Sequence, residues 1–364
     1  MRYFNAFVEE DSPYFEQFPQ PIDRQQREIF QYAVGANLYM NGRMDLYKQL
    51  KQQAQDVGAV TICFEDAISE ADLPVCEEAV LSLLTRLEEE SQKSSLTPDD
   101  LPAIFIRVRQ LEQFMAWTSR LTAEQSRWLA GFVFPKFTIQ NASGYLHQLD
   151  QLRQTLNPSL YAMPILESHD IIYKETRMET LLTLRRLLAQ HPAILNVRVG
   201  GTDFSSAYGL RRRMTSSIHD LRVVSDCLTD ILNVFGRADL NLVVSGPVWE
   251  YFSTDFESPE IQGLLRELAL DQENGFHGKT SIHPTQARLI NRFYVVEYED
   301  YQDAMAILNH AHQGGVFKGA NGNKMNEVAP HLNWAKRIQA RATVFGVLKP
   351  NVSKDEWLQA PLKK

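Results

Sequence analysis

The feature that most constrains this fold is an alternation. Eight short apolar runs, at 37–40, 60–64, 103–108, 131–134, 160–166, 194–199, 241–245 and 280–282, are separated by stretches with helical spacing. In 179–188, Leu181, Leu184, Leu187 and Leu188 fall on one helix face, and 72–90 has a similar pattern. Strands that alternate with helices form parallel sheets. Eight such units over about 250 residues predict an α/β (β/α)8 TIM barrel. A doubly wound open sheet would need fewer strands and usually a Gly-rich first turn, which is absent. The barrel is expected over 36–295. Residues 1–35, aromatic and punctuated by Pro13, Pro19 and Pro21, form an N-terminal extension. Past Phe293 the strand signals stop, and 296–364 reads as a helical C-terminal segment, with a Gly/Asn loop at 314–323 between helical patterns at 300–312 and 331–345.

Composition sets the class of activity. With 44% hydrophobic residues, the 364-residue chain can bury a sizeable core. The formal charge of −8 argues against a nucleic-acid binder. No apolar run approaches the ~18 residues of a membrane span. Cys63, Cys76 and Cys227 have neither metal-site nor disulfide spacing, so a reducing, cytoplasmic compartment is the expectation. The start of the chain lacks the apolar core of a signal peptide.

In a (β/α)8 barrel the catalytic groups come from the C-terminal ends of several strands. Here those ends carry Glu65-Asp66, Arg107, Lys136, Glu167 and Asp203, with His283 after the last run. Glu167 and Asp203 end adjacent strands, as two oxygen ligands of Mg²⁺ or Mn²⁺ would. The alternative is helix capping or ion pairing with Arg198 or Lys136. Gly200 and Gly201, with Thr202 next, would let a ligand approach the backbone. Arg107 offers a planar fork for a substrate carboxylate. It is equally suited to bridging Glu65 or Asp66 across neighbouring strands. Glu65 and Asp66 would then orient Arg107 or metal-bound water. Lys136 would neutralise a developing enolate or balance nearby acids. His283 is more often structural than catalytic at such a position.

These strand ends together resemble the HpcH/HpaI aldolase and citrate lyase beta-subunit family. The residues that carry the resemblance are Leu38 to Asp45, Phe64-Glu65-Asp66-Ala67, Ile106-Arg107-Val108, Pro135-Lys136, Leu166-Glu167-Ser168, Gly201-Thr202-Asp203-Phe204 with Tyr208-Gly209, and Gly278-Lys279 through Ile282-His283-Pro284. Phe317 and Lys324-Met325 match its C-terminal segment. The resemblance implies a Mg²⁺-dependent carbon–carbon lyase or aldolase acting on a small anionic hydroxy- or oxo-carboxylate. It implies Glu167 and Asp203 as metal ligands and Arg107 as the carboxylate clamp. It also implies a homo-oligomer, trimer or hexamer, with the C-terminal segment as a lid over a neighbouring subunit's site. An acyl-thioester hydrolase on the same metal site and a non-catalytic binding barrel are the alternatives.

Three departures stand out. Cys63 and Ser245 replace acids common in the family, and Arg109 replaces an Asn. If the strand continued through Arg109, its side chain would share a face with Arg107. Arg109 would then bind a second anionic group, favouring a compact dianion over a coenzyme A thioester. The alternative is that Glu65 and Asp66 lie between the two guanidiniums.

Overall fold

The computed structural model describes residues 1–8, 12–53 and 57–361, so 9–11 of the extension, 54–56 and 362–364 lie outside the description. Eight parallel strands form one sheet: β1 Ala36–Asn41, β2 Ala59–Cys63, β3 Ala103–Arg107, β4 Leu129–Phe134, β5 Tyr161–Leu166, β6 Asn196–Val199, β7 Val243–Ser245 and β8 Lys279–Ser281. Each pairs with its sequence neighbour, and β8 returns beside β1. A bridge between Gly246 and Lys279 joins β7 to β8 and closes the barrel. The predicted TIM barrel is the observed fold. Closure is tight where β8 begins. Gly278 has φ +74°, and a Cβ there would lie 2.4 Å from the Gly35 carbonyl oxygen.

Most strand residues are buried on both faces, as expected for a parallel sheet wrapped by helices. The outer face is apolar and meets helices such as Leu73–Lys93, which buries Val80, Leu84 and Leu87. The inner face is unusually polar. β6 reads Asn-Val-Arg-Val, which puts Asn196 and Arg198 on one face and the valines on the other. On β1, Asn37 Oδ1 accepts from Thr61 Oγ of β2 at 2.9 Å.

The two ends of the chain pack together. Phe15–Gln17 pairs antiparallel with Val347–Leu348. Trp357 meets Phe4, Phe7 and Phe15 edge-on at centroid distances of 5.0–5.2 Å. Three hydrophobic rings on a buried indole explain why so aromatic an extension folds back on the barrel. The C-terminal segment is not purely helical. Helices Tyr298–Asn309 and Val328–Phe345 flank a hairpin, Val316–Lys318 with Met325–Glu327, where the sequence suggested only a loop. Its strands are too short for a periodic signal. It is organised by buried Asp303, which accepts from Ala320 N at 2.7 Å and Asn326 Nδ2 at 2.9 Å and pairs with Lys324 Nζ at 2.8 Å. Among the described residues no helix is long and apolar enough to cross a membrane.

Candidate active site

The C-terminal ends of β2 to β6 bring together Glu65, Asp66, Arg107, Lys136, Glu167 and Asp203. Arg107 closes β3 and is 7% exposed. Its Nη2 lies 2.6 Å from Glu65 Oε2, 3.1 Å from Asp66 Oδ2 and 3.5 Å from Glu167 Oε1. The bridge to the Glu65-Asp66 pair is therefore real. Arg107 Nε is buried and has no hydrogen-bond partner among the described residues.

Lys136 links the two halves of the site. Its Nζ lies 2.6 Å from Glu65 Oε1, while its backbone N–H donates to Glu167 Oε1 at 2.7 Å. One residue can serve both carboxylates because its backbone is left-handed, with φ +46°. A non-glycine residue held there carries strain of roughly 1–3 kcal/mol, which surrounding contacts must offset. The two bonds to carboxylates supply that offset here.

The electrostatics follow from burial. Glu167 is driven up to about 8 chiefly by burial, opposed by Arg107 and reinforced by the Asp203 charge. Burial also raises Asp203, with the Asp66 charge adding to it. Glu65 is raised by burial and by its hydrogen bond with Asp66, against the pull of Arg107 and Lys136. Burial pushes Asp66 up as well, but its bond with Glu65 and the charges of Arg107 and Lys136 outweigh this and hold it below the ordinary carboxylate range. Glu167 and Asp203 are hydrogen-bonded, a bond that lowers Asp203 while the Asp203 charge raises Glu167, and such a close carboxylate pair suits a divalent cation between them. Glu167 Oε1 accepts from the Lys136 N–H, so Oε2 is the oxygen that could turn to a cation. Among the described residues no group of three or more His, Cys, Asp or Glu side chains is arranged to hold a metal. A cation here would complete its shell with water and substrate oxygens.

The glycines also have a packing role. A Cβ on Gly200 would lie 2.4 Å from both Cβ and Oε2 of Glu167, and one on Gly201 would lie 2.7 Å from Pro247 Cβ. They make room for Glu167 and Pro247 side chains. Thr202 is exposed on the short helix Gly201–Ser206, which also carries Asp203.

Arg109 corrects the expected geometry. β3 ends at Arg107, the chain turns, and Arg109 no longer shares its neighbour's face. Its Nε donates to Phe64 O at 3.0 Å and its Nη2 to Ile68 O at 2.6 Å and Glu65 O at 3.4 Å. The guanidinium thus fastens the loop that presents Glu65 and Asp66. It also borders an open pocket of about 500 Å³ beside Glu65, Asp66 and Lys136. His283 caps the helix Pro284–Phe293, accepting from Thr285 N.

Sequence reasoning missed the floor of the site. Tyr39 of β1 is half-buried under it, with Arg107 Cζ 5.9 Å from its ring centroid. Arg198 of β6 lies beside Tyr39 and is 1% exposed. The signal was present in the period-two patterns of 37–41 and 196–199, which place Tyr39 and Arg198 on polar faces.

Comparison with known proteins agrees with this fold. A family model described as carbon–carbon bond lyase of the TIM-barrel fold matches residues 28–347, and the chain belongs to that family. A search of curated proteins finds no match. A citrate lyase from Burkholderia xenovorans superposes with a TM-score of 0.64 at 19% identity, covering 90% of this chain and 96% of its own. CitE from Mycobacterium tuberculosis, solved with magnesium, acetoacetate and coenzyme A, gives a TM-score of 0.52 at 17% identity over 86% of this chain and 99% of its own. Malate synthase from Haloferax volcanii, solved with magnesium and glyoxylate, gives 0.52 at 13% identity over 71% and 74%. At these identities the superpositions show a shared fold.

Proposed function

We propose that this carbon–carbon bond lyase cleaves or forms a bond in a small hydroxy- or oxo-carboxylate, with Mg²⁺ held by Glu167 and Asp203. The observation that carries this reading is the buried Glu167 carboxylate, fixed on one oxygen by the Lys136 N–H and raised by its Asp203 neighbour. When bound, a divalent cation supplies Lewis-acid stabilisation of the oxygen charge that bond cleavage develops. Arg107 binds and orients the substrate carboxylate with the donors not spent on Glu65 and Asp66. Glu65 holds Arg107 and the Lys136 ammonium in place. The Lys136 ammonium keeps its proton and balances the developing charge. Asp66, held ionised, faces the open pocket and orients water at the mouth. The exposed Val316 and Met325 of the C-terminal hairpin support a homo-oligomer in which that segment covers a neighbouring site.

The test is product analysis. Hydroxy acids, their phosphorylated forms and coenzyme A thioesters are incubated with the protein and Mg²⁺, and release of pyruvate, glyoxylate or oxaloacetate is followed. An oxo-acid fragment that disappears in Glu167→Ala and Asp203→Ala, with the fold intact by circular dichroism, supports the reading. Release of free thiol with no oxo-acid would instead make the site a thioester hydrolase.

A further inference from the structure

The barrel interior contains a cation that the proposed chemistry does not use. Arg198 projects from β6 into the lumen and is almost fully buried. Its Nη2 donates to Thr280 Oγ at 2.8 Å. Its Nε and Nη1 have no hydrogen-bond partner among the described residues, and no carboxylate there forms a salt bridge with it. Burial works against its charge and Arg107 opposes it further, while the Tyr39 phenol, hydrogen-bonded to it, supports it. A guanidinium stays protonated. One phenol and one hydroxyl, with no carboxylate, are weak partners for a cation in a dry interior. Its Nε and Nη1 still lack an acceptor among the described residues.

The groups around Arg198 narrow what that is. Across the β6–β7 ladder Arg198 is in register with Ser245, whose buried hydroxyl also lacks a partner among the described residues. On the other side, Arg107 Nε is likewise orphaned, and Arg107 stands over the Tyr39 ring. The unpaired groups at this level are donors or hydroxyls. They lie one pleat below the carboxylates of the site, because Arg198 is in register with Ile165, two residues before Glu167.

We infer that Arg198, with Ser245 and Thr280, forms a second anion subsite at the inner end of the active site, and that the substrate carries a second carboxylate that seats there. This rests on the reading that Arg107 binds a first carboxylate above. It moves the second positive contact from Arg109, whose donors serve the 64–68 loop, to a residue whose donors are unspent.

The experiment compares pyruvate with oxaloacetate, which has one more carboxylate. Each is titrated calorimetrically into the Mg²⁺-supplemented parent and into Arg198→Met. The parent is expected to bind oxaloacetate roughly tenfold or more tighter, the effect of one charge-assisted contact. Arg198→Met should erase that preference and leave pyruvate binding unchanged. Without ligand, the variant should melt at the same temperature as the parent or higher, because an unpaired buried charge has been removed. A parent that binds both acids equally overturns the second subsite alone, and needs no variant to do so. A preference that survives in Arg198→Met overturns it too, as does a ligand-free variant that melts well below the parent or fails to fold, because Arg198 would then be structural. A parent that binds neither acid overturns the carboxylate reading of the whole site.

Discussion

Gly200→Ala is the smallest change that should disable this site. The backbone at Gly200, with φ −94° and ψ 77°, lies outside the left-handed region, so alanine meets no intrinsic penalty there. The cost is contact. The new methyl would sit 2.4 Å from Glu167 Cβ and 2.4 Å from Oε2. A rotamer change relieves the second overlap but not the first, because Cβ does not move with χ1. The Glu167 backbone must therefore shift by about 1 Å to restore ordinary contact. A shift of that size breaks the 2.7 Å bond from the Lys136 N–H. Overpacking costs ~1–3 kcal/mol and a hydrogen bond to a charged group is worth ~1.5–3 kcal/mol. The expected destabilisation is roughly 3–6 kcal/mol, less whatever strain Lys136 sheds on release. The assay is thermal melting together with calorimetric Mg²⁺ titration. The variant should melt lower and lose Mg²⁺ affinity together, since both depend on where Glu167 sits. If it matches the parent in both, the packing account of Gly200 is wrong and the residue serves ligand approach, as the sequence first suggested.

Two further outcomes are expected. Arg107→Lys keeps the charge but loses the planar guanidinium whose Nη2 meets Glu65 and Asp66 at 2.6 and 3.1 Å and whose other donors are left for a carboxylate, so kcat/KM should fall roughly 10- to 100-fold on the substrate identified by product analysis, and an unaltered rate would make Arg107 structural. His277, buried with its Nε2 3.1 Å from Tyr32 O, has its pKa lowered to about 3 by burial, so between that value and the ordinary one the unfolded chain binds more protons than the folded one. Its contribution to stability is therefore full above about pH 6.5 and is lost as pH falls toward 3, on the order of 2 kcal/mol by pH 5. Urea denaturation at pH 7 and pH 5 should show a smaller acid loss in His277→Gln than in the parent, and equal losses would refute the assignment.

The barrel was legible because its signals are local. Eight apolar runs and the helices between them are periodic on the scale of a single element, and a parallel sheet needs nothing else to be recognised. The strand-end residues were legible for the same reason, since a charge that stops an apolar run marks where a strand leaves the core. What failed depended on geometry after the strand ends. Arg109 was placed on the face of Arg107 on the premise of a strand two residues longer than the real one, and the turn after Arg107 spends its guanidinium on the carbonyls of Phe64, Glu65 and Ile68 at the pocket edge. At Gly200, read as space for a ligand, the sequence does not show that Glu167 also packs against that position. Arg198 was weighed only as an ion-pair partner, though the alternation around it placed its side chain inside the barrel. The hairpin at 316–327 escaped notice because three-residue strands carry no periodicity, and it is a buried aspartate that holds them together.

The same reasoning explains how Asp203 is held. It sits on a helix of six residues, too short to be stable alone. The loop that follows is anchored behind the barrel wall instead. Helix Pro259–Asn274 buries Glu267 and Asp271, one turn apart and both fully inaccessible. Like charges at that spacing destabilise a helix, and buried carboxylates cost more. Here Lys279 Nζ meets Glu267 at 2.9 Å and Asp271 at 2.6 Å. Arg212 pairs with Glu267, Ile218 N donates to Glu267 at 2.8 Å, and His219 meets Asp271 at 2.8 Å. Three residues of the loop after Asp203 are thereby fixed to the helix after β7 and the first residue of β8. Lys279 lies in the segment that carried the family resemblance, yet its ammonium is wholly enclosed in this network and has no access to the mouth. Its place is to neutralise two acids that bind the loop, which makes the position of Asp203, the proposed metal ligand, on one side of the barrel wall depend on ion pairs on the other.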